Sequence, residues 1–194
     1  MKPEILITAL GTCEVRVNGH QTNWRNEDDL ALMIYLCDGL RSQFYPETRR
    51  ERAAIFSGDI IRALWPMLTY DSAETVLHSS QKGIARTLQE ALRLSGQDFE
   101  ESDCWVVREF YGSYLLNDLF ELRYDVANFE RFYKAVITGD RRNSFKSWRA
   151  LRRCFTGEFM YASLVSGDWV QRRNDELLTI VEQVDDEIRS FMII

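Results

Sequence analysis

The stretch Asp71 to Arg93, DSAETVLHSSQKGIARTLQEALR, constrains this chain more than any other. Ala73, Val76, Leu77, Ile84, Leu88, Ala91 and Leu92 recur at spacings of three, four and seven, so they share one face of a helix. At about 3.6 residues per turn that helix runs for roughly six turns. The opposite face carries Thr75, His78, Ser79, Lys82, Arg86 and Gln89, and no large apolar side chain. A helix buried on one side and lined with small polar and basic groups on the other can lie in a DNA major groove. Taken alone it could equally be an ordinary amphipathic helix with a solvated face, so its neighbours have to decide.

Upstream, Ile5 to Leu10 and Cys13 to Val17 are β-prone runs joined by Gly11-Thr12. Cys13, Val15 and Val17 alternate with Glu14 and Arg16, as a half-buried strand requires. Asn18-Gly19 suits a type I′ hairpin turn, leading to a third strand over Gln21 to Trp24. A small antiparallel sheet therefore opens the chain. Asn26 is placed to cap a helix from Glu27, with Leu30, Met33, Ile34, Cys37 and Leu40 as its buried stripe. The arginine-rich segment Arg41 to Arg52 reads as a loop. Ser57 then caps a short helix carrying Ile60, Ile61 and Leu64, and Trp65-Pro66 closes it. Asp71 or Ser72 caps the long helix. Two short helices followed by a long one, with tight connections, is the order of a helix-turn-helix.

Downstream, Cys104 to Phe110 and Ser113 to Asn117 read as strands around Tyr111-Gly112. A β-hairpin directly after a helix-turn-helix is the arrangement of a wing. Arg108, Tyr111 and Ser113 lie near its tip, within reach of phosphates or the minor groove; Tyr111 also reads simply as a turn residue. His78, likewise, reads as a surface or capping histidine as well as a base reader. Beyond Asp118 the pattern turns helical. Val126, Phe129, Phe132, Tyr133 and Val136 stripe one helix, ended by Gly139. Phe145, Trp148, Leu151 and Phe155 stripe a second, ended by Gly157; Trp169, Leu177, Val181, Val184, Ile188 and Phe191 stripe a third. These faces pair as antiparallel helical hairpins. The second helix bears Arg141, Arg142, Lys146, Arg149, Arg152 and Arg153. That face is either solvated or a docking site for DNA or an acidic partner. The apolar ending Phe191-Met192-Ile193-Ile194 suits a chain whose next helix is missing, or an end buried against a partner.

Composition narrows the function classes. A net charge of −6 means that any DNA contact needs a local basic patch on an acidic body. No apolar run reaches the length of a membrane span, and MKPEILITAL is no signal peptide, so no membrane partner and a cytoplasmic location are expected. Cys13, Cys37, Cys104 and Cys154 form no CxxC pair and no Cys/His cluster; free thiols are expected, with neither a metal site nor a cofactor. His20 and His78 stand in no ligand-spaced motif, and phosphate-loop, GxSxG and GxGxxG patterns are absent, so an enzyme is not expected.

The order of elements carries a resemblance. LGTCEVRVNG at 10–19, DLALMIYL at 29–36, DIIRALWP at 59–66, SAETVLHSSQKGIARTLQEAL at 72–92, YGSYLLN at 111–117, DVANFERF at 125–132, GEFM at 157–160 and Trp169 follow one another along nearly the whole chain. In this the chain resembles the Streptomyces antibiotic regulatory protein type of transcriptional activator. Those proteins join an OmpR-like winged helix to a TPR-like bacterial transcriptional activator domain. The resemblance implies a mostly α fold with small antiparallel β elements. It places a winged helix-turn-helix domain at residues 1–118 and a helical activator domain, short by the family's measure, at 119–194. It also implies major-groove reading of promoter repeats in double-stranded DNA, often by two copies as a homodimer, with contacts to RNA polymerase. The DNA-contact candidates are Thr75, His78, Ser79, Lys82, Arg86, Arg108, Tyr111 and Ser113. The chain departs from the family where Gly83 and Ala85 replace frequent basic residues and where Glu74 lies near the DNA-facing start of the helix. The alternative is therefore a protein-interaction or oligomerisation module with a degenerate winged helix, as a part of a longer multidomain regulator.

Overall fold

A computed structural model describes residues 2–45, 55–110, 113–160 and 168–192. The chain divides into two compact units. One comprises Met1–Ile7 and Glu14–Tyr124, the other Thr8–Cys13 and Asp125–Ile194.

The first unit begins with strands β1 (Glu4–Thr8), β2 (Glu14–Val17) and β3 (His20–Gln21). Asn18 and Gly19 both take positive φ, +48° and +84°, as the I′ turn demands. The third strand is shorter than the pattern suggested: it covers His20–Gln21, and Thr22 keeps the register for one residue more by giving its N–H to the Val15 carbonyl. Helix α1 (Glu27–Gly39) starts under the Asn26 cap, whose side chain accepts from the Asp28 N–H. Ala31, Leu32, Met33, Ile34, Leu36 and Cys37 are all buried, so α1 is covered on most sides and not along one stripe. A 3-10 turn over Arg41–Phe44 occupies the start of the expected loop; positions 46–52 of that loop lie outside the described residues. Helix α2 (Ser57–Leu64) begins with Ser57 as a helical residue and not as its cap; Phe56 takes the cap position without a side-chain bond.

Helix α3 (Tyr70–Leu94) begins ahead of the expected caps Asp71 and Ser72: Thr69 caps it, its hydroxyl accepting from the Ser72 N–H. Ala73, Leu77, Ile84, Leu88, Ala91 and Leu92 are buried and Val76 is half-buried. Each fully buried leucine or isoleucine on this face contributes roughly 2 kcal/mol of transfer free energy. A cap contributes about 1 kcal/mol, so the apolar seam decides which face of α3 points outward. Where α1 meets α3, Gly83 lies against the Asp29 side chain. A Cβ at Gly83 would stand 2.0 Å from Asp29 Oδ2.

The wing strands are β4 (Val107–Phe110) and β5 (Ser113–Leu116), antiparallel with Arg108 opposite Leu115. Cys104, Trp105 and Val106 precede the strand rather than open it. The carbonyls of Asp103 and Trp105 accept from the Asn117 side-chain amide. The hairpin is anchored below by buried Gln43, whose Oε1 accepts the Leu116 N–H at 3.0 Å. A further strand, β6 (Glu121–Tyr124), stands where the sequence pattern pointed to helix. It pairs parallel with β1, giving a four-stranded sheet of order β3-β2-β1-β6.

The second unit contains α4 (Asp125–Thr138), α5 (Arg141–Cys154) and α6 (Asp168–Met192). Val126, Phe129, Val136, Leu151, Leu177, Val181, Val184 and Ile188 form its core, and the expected stripes lie inward. Asp140 caps α5, and the buried Ser144 hydroxyl bonds the Val136 and Gly139 carbonyls to close the α4–α5 turn. Arg173 on α6 is buried and pairs with Glu130 on α4 at 2.5 Å and with Glu176 at 2.9 Å. Ala9 and Leu10, expected in a strand, belong to this unit. Asp125 accepts the N–H groups of Ala9, Leu10 and Val126, Met160 gives its N–H to the Ala9 carbonyl, and Gly11 gives its N–H to the Glu158 carbonyl. Gly11 has φ +79°, and a Cβ there would run into Thr156 and Gly157. Positions 193–194 of the apolar ending lie outside the described residues. Among the described residues no helix is long and apolar enough to cross a membrane.

Two predictions follow from this packing. An exposed helix interior gains about 1 kcal/mol from Gly→Ala, but Gly83→Ala drives a methyl into the Asp29 carboxylate. We expect a loss of roughly 1–3 kcal/mol in urea denaturation, recovered in Gly83→Ala/Asp29→Ala; additive effects in that cycle would contradict the contact. The second concerns Asp125. Burial outweighs its backbone donors and pushes its carboxyl up to about 6 from an ordinary 3.8. The folded state therefore keeps a proton that the unfolded chain releases, and stability falls as pH rises from about 4 to about 6. Between pH 4 and pH 7 wild type should lose on the order of 2 kcal/mol more than Asp125→Asn; parallel curves for the two proteins would refute this.

Candidate nucleic-acid interface

The apolar seam leaves one long face of α3 free. Thr75, His78, Ser79, Lys82 and Arg86 are all exposed on it. The Thr75 hydroxyl donates to the Asp71 carbonyl one turn back, and His78 Nδ1 lies 3.3 Å from Gln81 Oε1. These two contacts stay within the helix and leave the outer surface clear. Gln89, placed on this face by its spacing, is half-buried and donates to the Phe99 carbonyl, which ties the following loop to the helix. Beside this face stands the wing: Gln81 Nε2 donates to the hydroxyl of Tyr114 on β5 at 3.3 Å. Arg108 on β4 is exposed. Ser113 begins β5 opposite Phe110, but its side chain, like all of Tyr111, lies outside the described residues.

The charges of this surface are largely paired. Arg86 Nε lies 3.3 Å from Glu101 Oε1, and Arg108 Nη1 lies 3.2 Å from Asp118 Oδ1. Arg25 pairs with Glu90 at 2.7 Å and Arg93 with Asp98 at 3.5 Å. Among the described residues Lys82 has no acidic partner. Exposed pairs of this kind are worth about 0–1 kcal/mol each, so an approaching phosphate can exchange with the carboxylates. The sequence reading missed Glu101 and Asp118. The run DFEESD at 98–103 was visible, but nothing local linked it to a helix one turn and a loop away.

Between the start of α1 and the middle of α3 lies a cavity of about 210 Å³. Asp29, Ser79, Gly83 and Thr87 line it together with the Arg25–Glu90 pair and Arg86. Burial raises the Asp29 carboxyl above its ordinary value, and the neighbouring Asp28 charge adds to that, while the Ser80 hydroxyl works against it. Gly83 thus has a packing reason: a basic side chain there would displace Asp29.

All four cysteines are free. Burial pushes Cys13 up to about 12 and Cys104 up to about 11, and raises Cys37 and Cys154 as well. Among the described residues no cluster of three His, Cys, Asp or Glu side chains could hold a metal ion.

No family model matches this chain, and no curated protein matches it. Its fold matches that of a solved structure, Mycobacterium tuberculosis EmbR in complex with a low affinity phosphopeptide. The two are 16% identical with a TM-score of 0.65, and the match covers 95% of this chain and 44% of the EmbR chain. The chain therefore spans less than half of that protein and is similar to it in fold: a winged helix joined to a helical unit.

Proposed function

We propose that this chain is a sequence-specific DNA-binding transcriptional regulator that lays the outer face of α3 in the major groove. The observation that carries the reading is the exposed row Thr75, His78, Ser79, Lys82 and Arg86 beside the β4–β5 hairpin. From Thr75 to Arg86 the row extends about 16 Å along the helix axis, enough to cross a groove about 12 Å wide. Lys82 and Arg86 suit phosphate or guanine, and Ser79, Thr75 and His78 suit base edges or sugar–phosphate oxygens. Arg108, Tyr111 and Ser113 on the wing take the flanking backbone or minor groove. Double-stranded DNA with promoter repeats is the ligand in this reading, with a second copy and RNA polymerase as protein partners in the cytoplasm.

A second reading has its own support. Arg86 and Arg108 are engaged by Glu101 and Asp118, and Met67 and Leu68 before α3 are exposed together with Tyr70 at its first position. Apolar side chains exposed together suit a protein contact. EmbR, the fold relative, was solved with a phosphopeptide. In this version the winged helix is an interaction module that does not bind DNA.

Fluorescence anisotropy with genomic duplex fragments separates the two. Wild type should bind with an affinity that falls steeply with salt. Lys82→Ala/Arg86→Ala should weaken binding by at least about tenfold and lower the salt slope by about 2. Equal binding by wild type and double variant would remove α3 as the recognition element. Glu101→Gln/Asp118→Asn frees two arginines and should tighten binding by about three- to tenfold. No DNA binding by either protein would favour the interaction module.

A further inference from the structure

Helix α5 carries six basic residues and no acidic one, in a chain whose net charge is −6. Arg142, Lys146, Arg149 and Arg153 follow a 4-3-4 spacing, so they share one side of the helix, and all four are exposed. The opposite side is committed to the core of its own unit. Ser144 and Leu151 are buried there, and Trp148 Nε1 donates to Asp185 on α6 at 2.8 Å. Among the described residues no acidic side chain pairs with any of the four. Arg152, off the row, lies 3.9 Å from Asp185, and Arg149 rests 4.9 Å from the Phe145 ring centroid. Two other arginines of the unit are paired, Arg173 with Glu130 and Glu176 and Arg189 with Asp186. Like charges one turn apart oppose helix formation, and among the described residues no carboxylate beside the row offsets that.

We propose that this row binds the sugar–phosphate backbone of duplex DNA, as a second and sequence-independent contact. The inference rests on the reading that DNA is the ligand of the winged helix. Charge complementarity selects a polyanion, and the make-up of the row selects phosphate over an acidic polypeptide. Three of the four cations are arginines, whose planar forks match phosphate oxygens. Asn143 and Ala150 flank one edge, and on the other Phe145 is half-buried beneath Arg149. The row therefore lacks the exposed aromatic anchor that protein interfaces place at their centre. Its cations span about 16 Å, along which one DNA strand presents a phosphate roughly every 3.4 Å of axis.

The test is anisotropy of the full chain on a duplex of random sequence, over a range of salt, with three proteins. They are wild type, Arg142→Gln/Lys146→Gln/Arg149→Gln/Arg153→Gln, and Lys82→Ala/Arg86→Ala. Circular dichroism checks that the quadruple variant keeps its helix. The quadruple variant should lose about 3–4 from the salt slope and at least about tenfold in affinity, by the same factor on every duplex. A wild-type slope in that variant, with weakened binding by the Lys82/Arg86 variant, overturns this inference and leaves the recognition helix standing. The reverse pattern supports the α5 row and removes the recognition helix. A chain that binds polyglutamate through the row, and no DNA, overturns both in favour of an acidic protein partner.

Discussion

The apolar seam along α3 determines the rest of the first unit. Leu77, Ile84, Leu88 and Leu92 must leave water together, and one rotation of the helix about its axis satisfies all four. That rotation presents Thr75, His78, Ser79, Lys82 and Arg86 outward as a group. It also brings α3 against α1 closely enough that position 83 has no room for a side chain beside Asp29. Glycine at this position therefore has a reason in helix packing.

Electrostatics adds a second layer to the same face. Glu101 and Asp118 hold guanidinium groups that would otherwise be free for a polyanion. Because both pairs are solvent-exposed, they set a threshold and not a barrier. Phosphate at high local density displaces a single carboxylate, whereas dilute anions do not. A surface of this kind discriminates on charge density. On α5 the situation is inverted: among the described residues Arg142, Lys146, Arg149 and Arg153 face no carboxylate, and only Arg152, off the row, lies near one, Asp185.

The long elements were legible in the sequence because their periodicity is strong. The α3 seam and the stripes of α4 to α6 need nothing beyond counting residues, and the exposed row follows from the seam. What escaped was set by distant partners. Glu121–Tyr124 is four residues of mixed character, and only β1 lying alongside makes it a strand. Trp105 has strand-like composition, yet its carbonyl, with that of Asp103, accepts from the Asn117 side chain and not from a strand neighbour. The caps at Thr69 and Phe56 differ from the expected ones by a residue or two, because several polar residues compete at each start. The pairing of Arg86 with a carboxylate 15 residues on is likewise invisible to any local rule.

The segment Thr8–Cys13 has a consequence for how the polypeptide comes into being. Its backbone partners sit as far away as Thr156, 146 residues along the chain. At a synthesis rate of about 5–20 residues per second, roughly 7 to 30 s pass between the making of Leu10 and of the residues that cover it. Throughout that interval the nascent N-terminal half carries an apolar dipeptide with nowhere to go. Residues 156–160 must emerge before the backbone of Ala9 to Gly11 finds its partners.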